Sequence, residues 1–223
     1  METTIKVTGK GSIHIVPDVT QLDINIDRVY KDYAEAYAKG KYNSEWMCRI
    51  LDFNKLNVKL VKTLRMDINE HTHAKYDALD HYVGQVVDGY ALYQKFRINL
   101  DKNIDKDNVL LNCIIKGVGK FIESAEVNVG YTVKDMRPYQ LKMIERAVKD
   151  AREKAKIMLT ALGCSLGDVV NIDYGDREMT VFHQARTYNC ADDCKASTPE
   201  SLDITPDDLV SSEEVDVTFG INN

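Results

Sequence analysis

Between Asp135 and Gly163 the chain carries one uninterrupted apolar stripe. Leu141, Ile144, Val148, Ala151, Ala155, Met158 and Leu162 step alternately by three and four residues, the spacing that lines one side of an α-helix. Asp135 is placed to cap the start, and Pro138 falls in the first turn, where a missing N–H leaves no hydrogen bond unmade. Gly163 suits the left-handed stop that ends many helices. A helix built this way has to bury its stripe. Much of the remaining apolar content recurs at every second position, the period of a β-strand, so the covering surface is expected to be a sheet.

Ile5 and Val7, then Ile13 and Ile15, alternate on either side of Gly9-Lys10-Gly11. This predicts a strand, a turn and a second strand. Pro17-Asp18 interrupts the pattern, which resumes at Leu22, Ile24 and Ile26. Asp32 and Glu35 open a helix that runs to about Phe53, with Tyr33, Tyr37, Ser44, Met47 and Leu51 as its expected inner face. Val58, Leu60, Leu64, Met66 and Ile68, answered by Tyr90, Leu92, Phe96, Ile98 and Leu100, predict a long hairpin over 58–73 and 81–100 with an exposed tip. A second helix over about 105–120 is expected to turn Leu110, Cys113, Ile114 and Val118 inward. Strands follow at Ala125–Val133, around Val169–Ile172, and at Val215–Ile221. The order ββα-ββα-βα-ββ describes an α+β fold, a mainly antiparallel sheet packed with three helices. The expectation is a single domain over 1–223 from which the hairpin 58–100 projects.

The chain has 29 Lys and Arg against 35 Asp and Glu, a net of −6. That balance lacks the footprint of a general nucleic-acid binder. Residues 176–216 alone hold eleven acids and three bases, and 176–212 read as an acidic, solvated loop, the segment expected to be most mobile. No apolar run is long enough for a membrane-spanning helix. The opening Met1-Glu2-Thr3-Thr4 has neither a basic nor an apolar leader region, so the expected location is cytoplasmic, or the cell envelope if a signal has been removed.

Five cysteines, an odd number widely spread, do not form a disulfide framework. Cys48 and Cys113 are expected on apolar helix faces, and Cys190 and Cys194 lie together in the acidic segment as a candidate redox or metal pair. His71 and His73 are two apart on a predicted strand and share a face; His81 is expected across from them on the returning strand. These three imidazoles are the metal candidates, the ligand type that Zn²⁺ and Cu²⁺ favour. Gly9-Lys10-Gly11 does not open onto a helix, so it is no phosphate loop. No nucleophile motif and no spaced carboxylate pair stands out, so no catalytic residue and no cofactor is predicted.

Three stretches together resemble the SIMPL family, also called DUF541. They are Ile5-Lys6-Val7-Thr8-Gly9-Lys10-Gly11 followed by Pro17-Asp18, then Ala147-Val148-Lys149-Asp150-Ala151-Arg152-Glu153-Lys154-Ala155 running on to Leu162-Gly163-Cys164-Ser165-Leu166-Gly167-Asp168-Val169, and the ending Val215-Asp216-Val217-Thr218-Phe219. The resemblance implies an α+β fold, mostly bacterial occurrence, a tendency to form homo-oligomers, and an association with envelope or oxidative-stress physiology; animal relatives act in signalling. It supplies no catalytic residue. Ala147, Ala151 and Ala155 are expected to let the helix approach the sheet closely. The function expected from the residues and the resemblance together is a non-enzymatic oligomeric protein acting through its surfaces. The alternative is a metal- or redox-responsive binder using the histidines of 71–81 or Cys190 and Cys194.

Overall fold

The computed structural model describes residues 3–105, 108–175, 183–189 and 209–222. The fold is α+β, with eight strands among the described residues: β1 (Thr4–Ile15), β2 (Val19–Tyr30), β3 (Val61–Tyr76), β4 (Tyr82–Asp101), β5 (Ala125–Thr132), β6 (Ser165–Asp173), β7 (His183–Asn189) and β8 (Leu209–Asn222). The helices are α1 (Tyr33–Phe53), α2 (Val109–Phe121) and α3 (Arg137–Ala161). The predicted order holds, with β7 as an added strand inside the stretch expected to be a loop. Its sequence, His-Gln-Ala-Arg-Thr-Tyr-Asn, has no apolar alternation; its backbone pairs with the edge of β5. The remainder of 176–208, with its expected mobility, lies outside the described residues.

The chain divides into two compact units. One contains a three-stranded antiparallel sheet, β1-β8-β6, and α3. Here two expectations are corrected. Gly9-Lys10-Gly11 makes no turn: β1 runs straight through it, Gly9 opposite Val215 and Gly11 opposite Glu213. The buried face of α3 is Met143, Ala147, Ala151, Ala155 and Leu159, while Leu141 and Leu162 are 60% and 75% exposed, Met158 is also exposed, and Ile144 and Val148 are half-buried. One geometry explains both. A Cβ on Gly9 would stand 1.9 Å from the Ala147 carbonyl oxygen, and one on Gly11 1.9 Å from that of Met143. Helix backbone rests on strand backbone, so the small residues face the sheet and the larger ones flank the contact. Val7, Val215, Val217 and Phe219 complete this core. The N-cap is Met136 rather than Asp135, with no side-chain cap bond; Asp135, one residue earlier, accepts from the Arg137 N–H at 3.0 Å, and Gly163 closes the helix with φ +76° as expected.

The other unit is a five-stranded antiparallel sheet, β3-β4-β2-β5-β7, with α1 and α2. Leu22, Ile24, Ile26, Phe96, Ile98, Leu100, Val127 and Val129 face Met47, Ile50 and Leu51 of α1 and Leu111, Ile114, Ile115 and Val118 of α2. The Asp32 carboxylate caps α1 by accepting from the Glu35 N–H at 2.8 Å. The inner face of α1 is Ala36, Gly40, Asn43, Met47, Ile50 and Leu51, not the tyrosines: Tyr33 and Tyr37 are exposed and stack on one another. A Cβ on Gly40 would meet the Met66 Cε at 2.5 Å, the far end of a flexible side chain that can give way, so the demand for glycine is weaker here than at Gly9 and Gly11. The thiol expectations are corrected as well. Cys48 and Cys113 are both exposed, because the buried face of α2 steps Leu111, Ile114, Ile115, Val118, which rotates Cys113 away.

Candidate functional site

β3 and β4 pair over most of their length and form the arm that the sequence predicts. Its root is in the core through Ala91, Leu92, Phe96, Ile98 and Leu100. From Thr72 outward on β3 and back through Asp88 on β4, no residue is buried, although Tyr76, Leu79, Tyr82, Val83, Val86 and Val87 lie there. Leu79 is 76% exposed and Tyr82 60%. The turn at the end is well specified. The Asp77 carboxylate accepts from the Leu79 and His81 N–H groups at 2.8 and 2.9 Å, and Asp80 takes a left-handed φ of 64°. Those bonds, the His81 N–H first, hold the Asp77 carboxyl below the usual range. Tyr76 and Tyr82 meet edge to face across the arm.

His71 and His73 share a face of β3, as predicted, and they share a partner. His71 Nδ1 is 2.6 Å from Asp88 Oδ1, and His73 Nδ1 is 2.9 Å from Asp88 Oδ2. Asp88 is on the wrong strand position for this in a regular ladder. His71 pairs with Gly89 and Thr72 with Val87, so Asp88 is the extra residue of a β-bulge. Without the bulge Asp88 would oppose Thr72 and point to the other face. The bulge re-aims it between the two imidazoles, a use bulges often serve. The hydrogen bond from His71 outweighs the opposing effect of burial and, with the weaker contribution of the His73 bond, holds the Asp88 carboxyl below its ordinary range. Gly89 beside it is buried, and a Cβ there would stand 2.6 Å from the Tyr30 carbonyl oxygen.

His81 does not join this pair. It sits in the end turn, where its Nδ1 is 3.3 Å from Asp77 Oδ2. The expected three-imidazole cluster is therefore divided between two carboxylates. No three His, Cys, Asp or Glu side chains converge as a metal-binding group among the described residues. Cys190 and Cys194 lie outside those residues. The sequence reading missed Asp88. The signal that reveals it is the run Val86-Val87-Asp88-Gly89, where strand alternation breaks next to a glycine.

The three-stranded unit has a groove of about 860 Å³ between α3 and β6, with Val148, Leu166, Val169 and Ile172 beside Arg152 and Lys156. β6 is an edge strand, and Val169, Val170 and Ile172 on it are all about half exposed. No helix among the described residues is long and apolar enough to cross a membrane.

Compared with known proteins, the chain matches a family model described as SIMPL, protein of unknown function (DUF541), over residues 5–219. No curated protein matches it. The matched span begins in β1, at the edge of the three-stranded sheet, ends in β8, its central strand, and includes every described helix. The chain belongs to the SIMPL family.

Proposed function

We propose that this is a non-enzymatic protein that works by assembling with further copies of itself, and that the β3–β4 arm is the element that joins them. The observation that carries the reading is the arm's outer part, where six large apolar side chains find no cover among the described residues. A hairpin without such cover is marginally stable in water. Full burial of such a side chain contributes about 1.5–3 kcal/mol, and covering the exposed part of Leu79 and of the three valines supplies the corresponding share. A second copy fits because it carries the same strip, and a twofold axis presents one arm to the other. Among the described strands β3 is also an edge of its sheet, the place where another chain can pair.

The motif residues support a non-enzymatic role. Gly9, Gly11, Ala147, Ala151 and Ala155 are all spent on seating α3 against β1 and β8. A link to envelope or oxidative-stress physiology belongs to the proposal on the family resemblance alone. The metal-responsive alternative keeps one favourable observation, the pairing of His71 and His73 on Asp88.

The test is a chain carrying Leu79→Asp and Tyr82→Asp. Circular dichroism matching the unmodified protein establishes that the fold is intact. Sedimentation velocity is expected to show the assembled species replaced by a single chain. An assembly of unchanged mass in the folded variant contradicts the assignment of the arm.

A further inference from the structure

We propose that Arg146, Asp150 and Lys154 of α3 form a guard over the free edge of β1, which bars the edge strand of a second copy from extending the three-stranded sheet on that side. β1 is an edge of this sheet among the described strands. In an antiparallel pair the backbone groups of alternate residues point away from the partner strand, where a further strand can bond them. Three such groups on β1 are already taken. The Lys154 ammonium donates to the Thr8 carbonyl oxygen at 3.3 Å, the Lys10 N–H donates to the Asp150 carboxylate at 2.7 Å, and the Arg146 guanidinium donates to the Ser12 carbonyl oxygen at 2.5 Å. Thr8, Lys10 and Ser12 are alternate residues of β1, so all three bonds fall on its outward side. Lys154 also pairs with Asp150 at 2.7 Å. The Lys154 bond, and then the Lys10 N–H, hold the Asp150 carboxyl below the usual carboxylate range.

The match of the two rows has a geometric cause. Two residues of an antiparallel strand advance about 6.8 Å, and four residues of a helix about 6 Å. Thr8, Lys10 and Ser12 therefore meet Lys154, Asp150 and Arg146 rung by rung, in reverse order. The short side chain is in the middle, and the two long ones take up the drift at the ends. Gly9 and Gly11 let the helix backbone down onto β1, close enough for this row to reach the strand's outer edge. At the opposite edge of the sheet, β6 leaves Val169, Val170 and Ile172 about half exposed. A bare β1 on one copy and β6 on the next would join head to tail, a contact that builds rings or open filaments rather than a closed pair. The guard stops growth in that direction. It acts whether or not the arm joins copies, because β1 and α3 belong to one compact unit and the arm to the other.

Amide exchange followed by NMR on the full chain, and sedimentation velocity on variants, test the guard. In the unmodified chain the Lys10 amide is expected to exchange about 10-fold or more slowly than the outward amides of Thr8 and Ser12, the effect of one hydrogen bond to a charged acceptor. Asp150→Ala is expected to remove the difference. Three amides that exchange alike in the unmodified chain overturn the guard, whether they are fast, as on a bare edge, or slow, as on a paired one. The triple variant Arg146→Ala, Asp150→Ala, Lys154→Ala puts the best helix former at all three positions. It also adds one net negative charge, which opposes non-specific association. With circular dichroism matching the parent, it is expected to sediment as a broad series of species heavier than the parent's. A distribution equal to the parent's overturns the barrier role. The same three changes in the Leu79→Asp, Tyr82→Asp chain are expected to produce heavier species again, and no growth there likewise overturns it. Growth through β1 is thus read apart from assembly through the arm.

Discussion

Asp23 is a buried acid held by two cations. It lies on β2, directly opposite Arg97 of β4, and Arg97 Nε and Nη2 donate to its two oxygens at 2.6 and 2.8 Å. Lys95 Nζ is 3.3 Å away. Burial pushes the Asp23 carboxyl up, but the Arg97 and Lys95 contacts together pull it further down, so it stays below the usual carboxylate range. A depressed carboxylate contributes stability above its unfolded value, near 3.9, and loses that contribution as pH falls through its lower folded value. Asp23→Asn is therefore expected to lower stability by about 2 kcal/mol at pH 7, between the values for exposed and fully buried pairs. Urea unfolding measured from pH 7 downward checks this: the gap between variant and parent should narrow below about pH 4, and a gap that is constant with pH contradicts it.

At the scale of elements, α3 on β1 decides the three-stranded unit. A methyl on Gly9 enters space held by helix backbone, 1.9 Å from an oxygen and 2.7 Å from the Ala151 nitrogen, so no side-chain rotation relieves it. Gly9→Ala is expected to destabilise by about 3 kcal/mol, at the upper end of overpacking costs. Leu141→Gln, on the exposed flank, is expected within about 0.5 kcal/mol of the parent. Thermal melts of the two variants check the contrast, and a larger loss in Leu141→Gln would restore the large-residue stripe as the core. The helix itself, its cap region and its Gly163 stop are legible in the chain because they follow from local periodicity and backbone preference. Its buried face is legible in part: Ala147, Ala151 and Ala155 seat the helix as expected, but Leu141, Met158 and Leu162 fall outside it, because scales of apolarity rank Leu and Met above Ala, whereas backbone contact at Gly9 and Gly11 gives the centre of the face to small side chains. The inner face of α1 likewise holds small residues, Ala36 and Gly40, while Tyr33 and Tyr37 turn outward. The histidine pair is readable from a spacing of two; its carboxylate is not, because strict parity puts Asp88 on the opposite face and only the bulge reverses it.

At the scale of the whole molecule, the longest hairpin has an outer part that no other described residue covers. Strands of 16 and 20 residues make an arm whose inner part belongs to the core and whose outer part has apolar residues in water. Exposed apolar surface of this kind marks an interaction site more often than it persists in a monomer. The edge of β6, with Val169, Val170 and Ile172 exposed, offers a second surface of the same character. Assembly is the central claim, and mass in solution tests it most directly. Light scattering on the intact chain, diluted through the micromolar range at physiological salt, is expected to give a mass that is a whole multiple of one chain and falls only at the lowest concentrations. The mass of a single chain throughout that range would contradict the account.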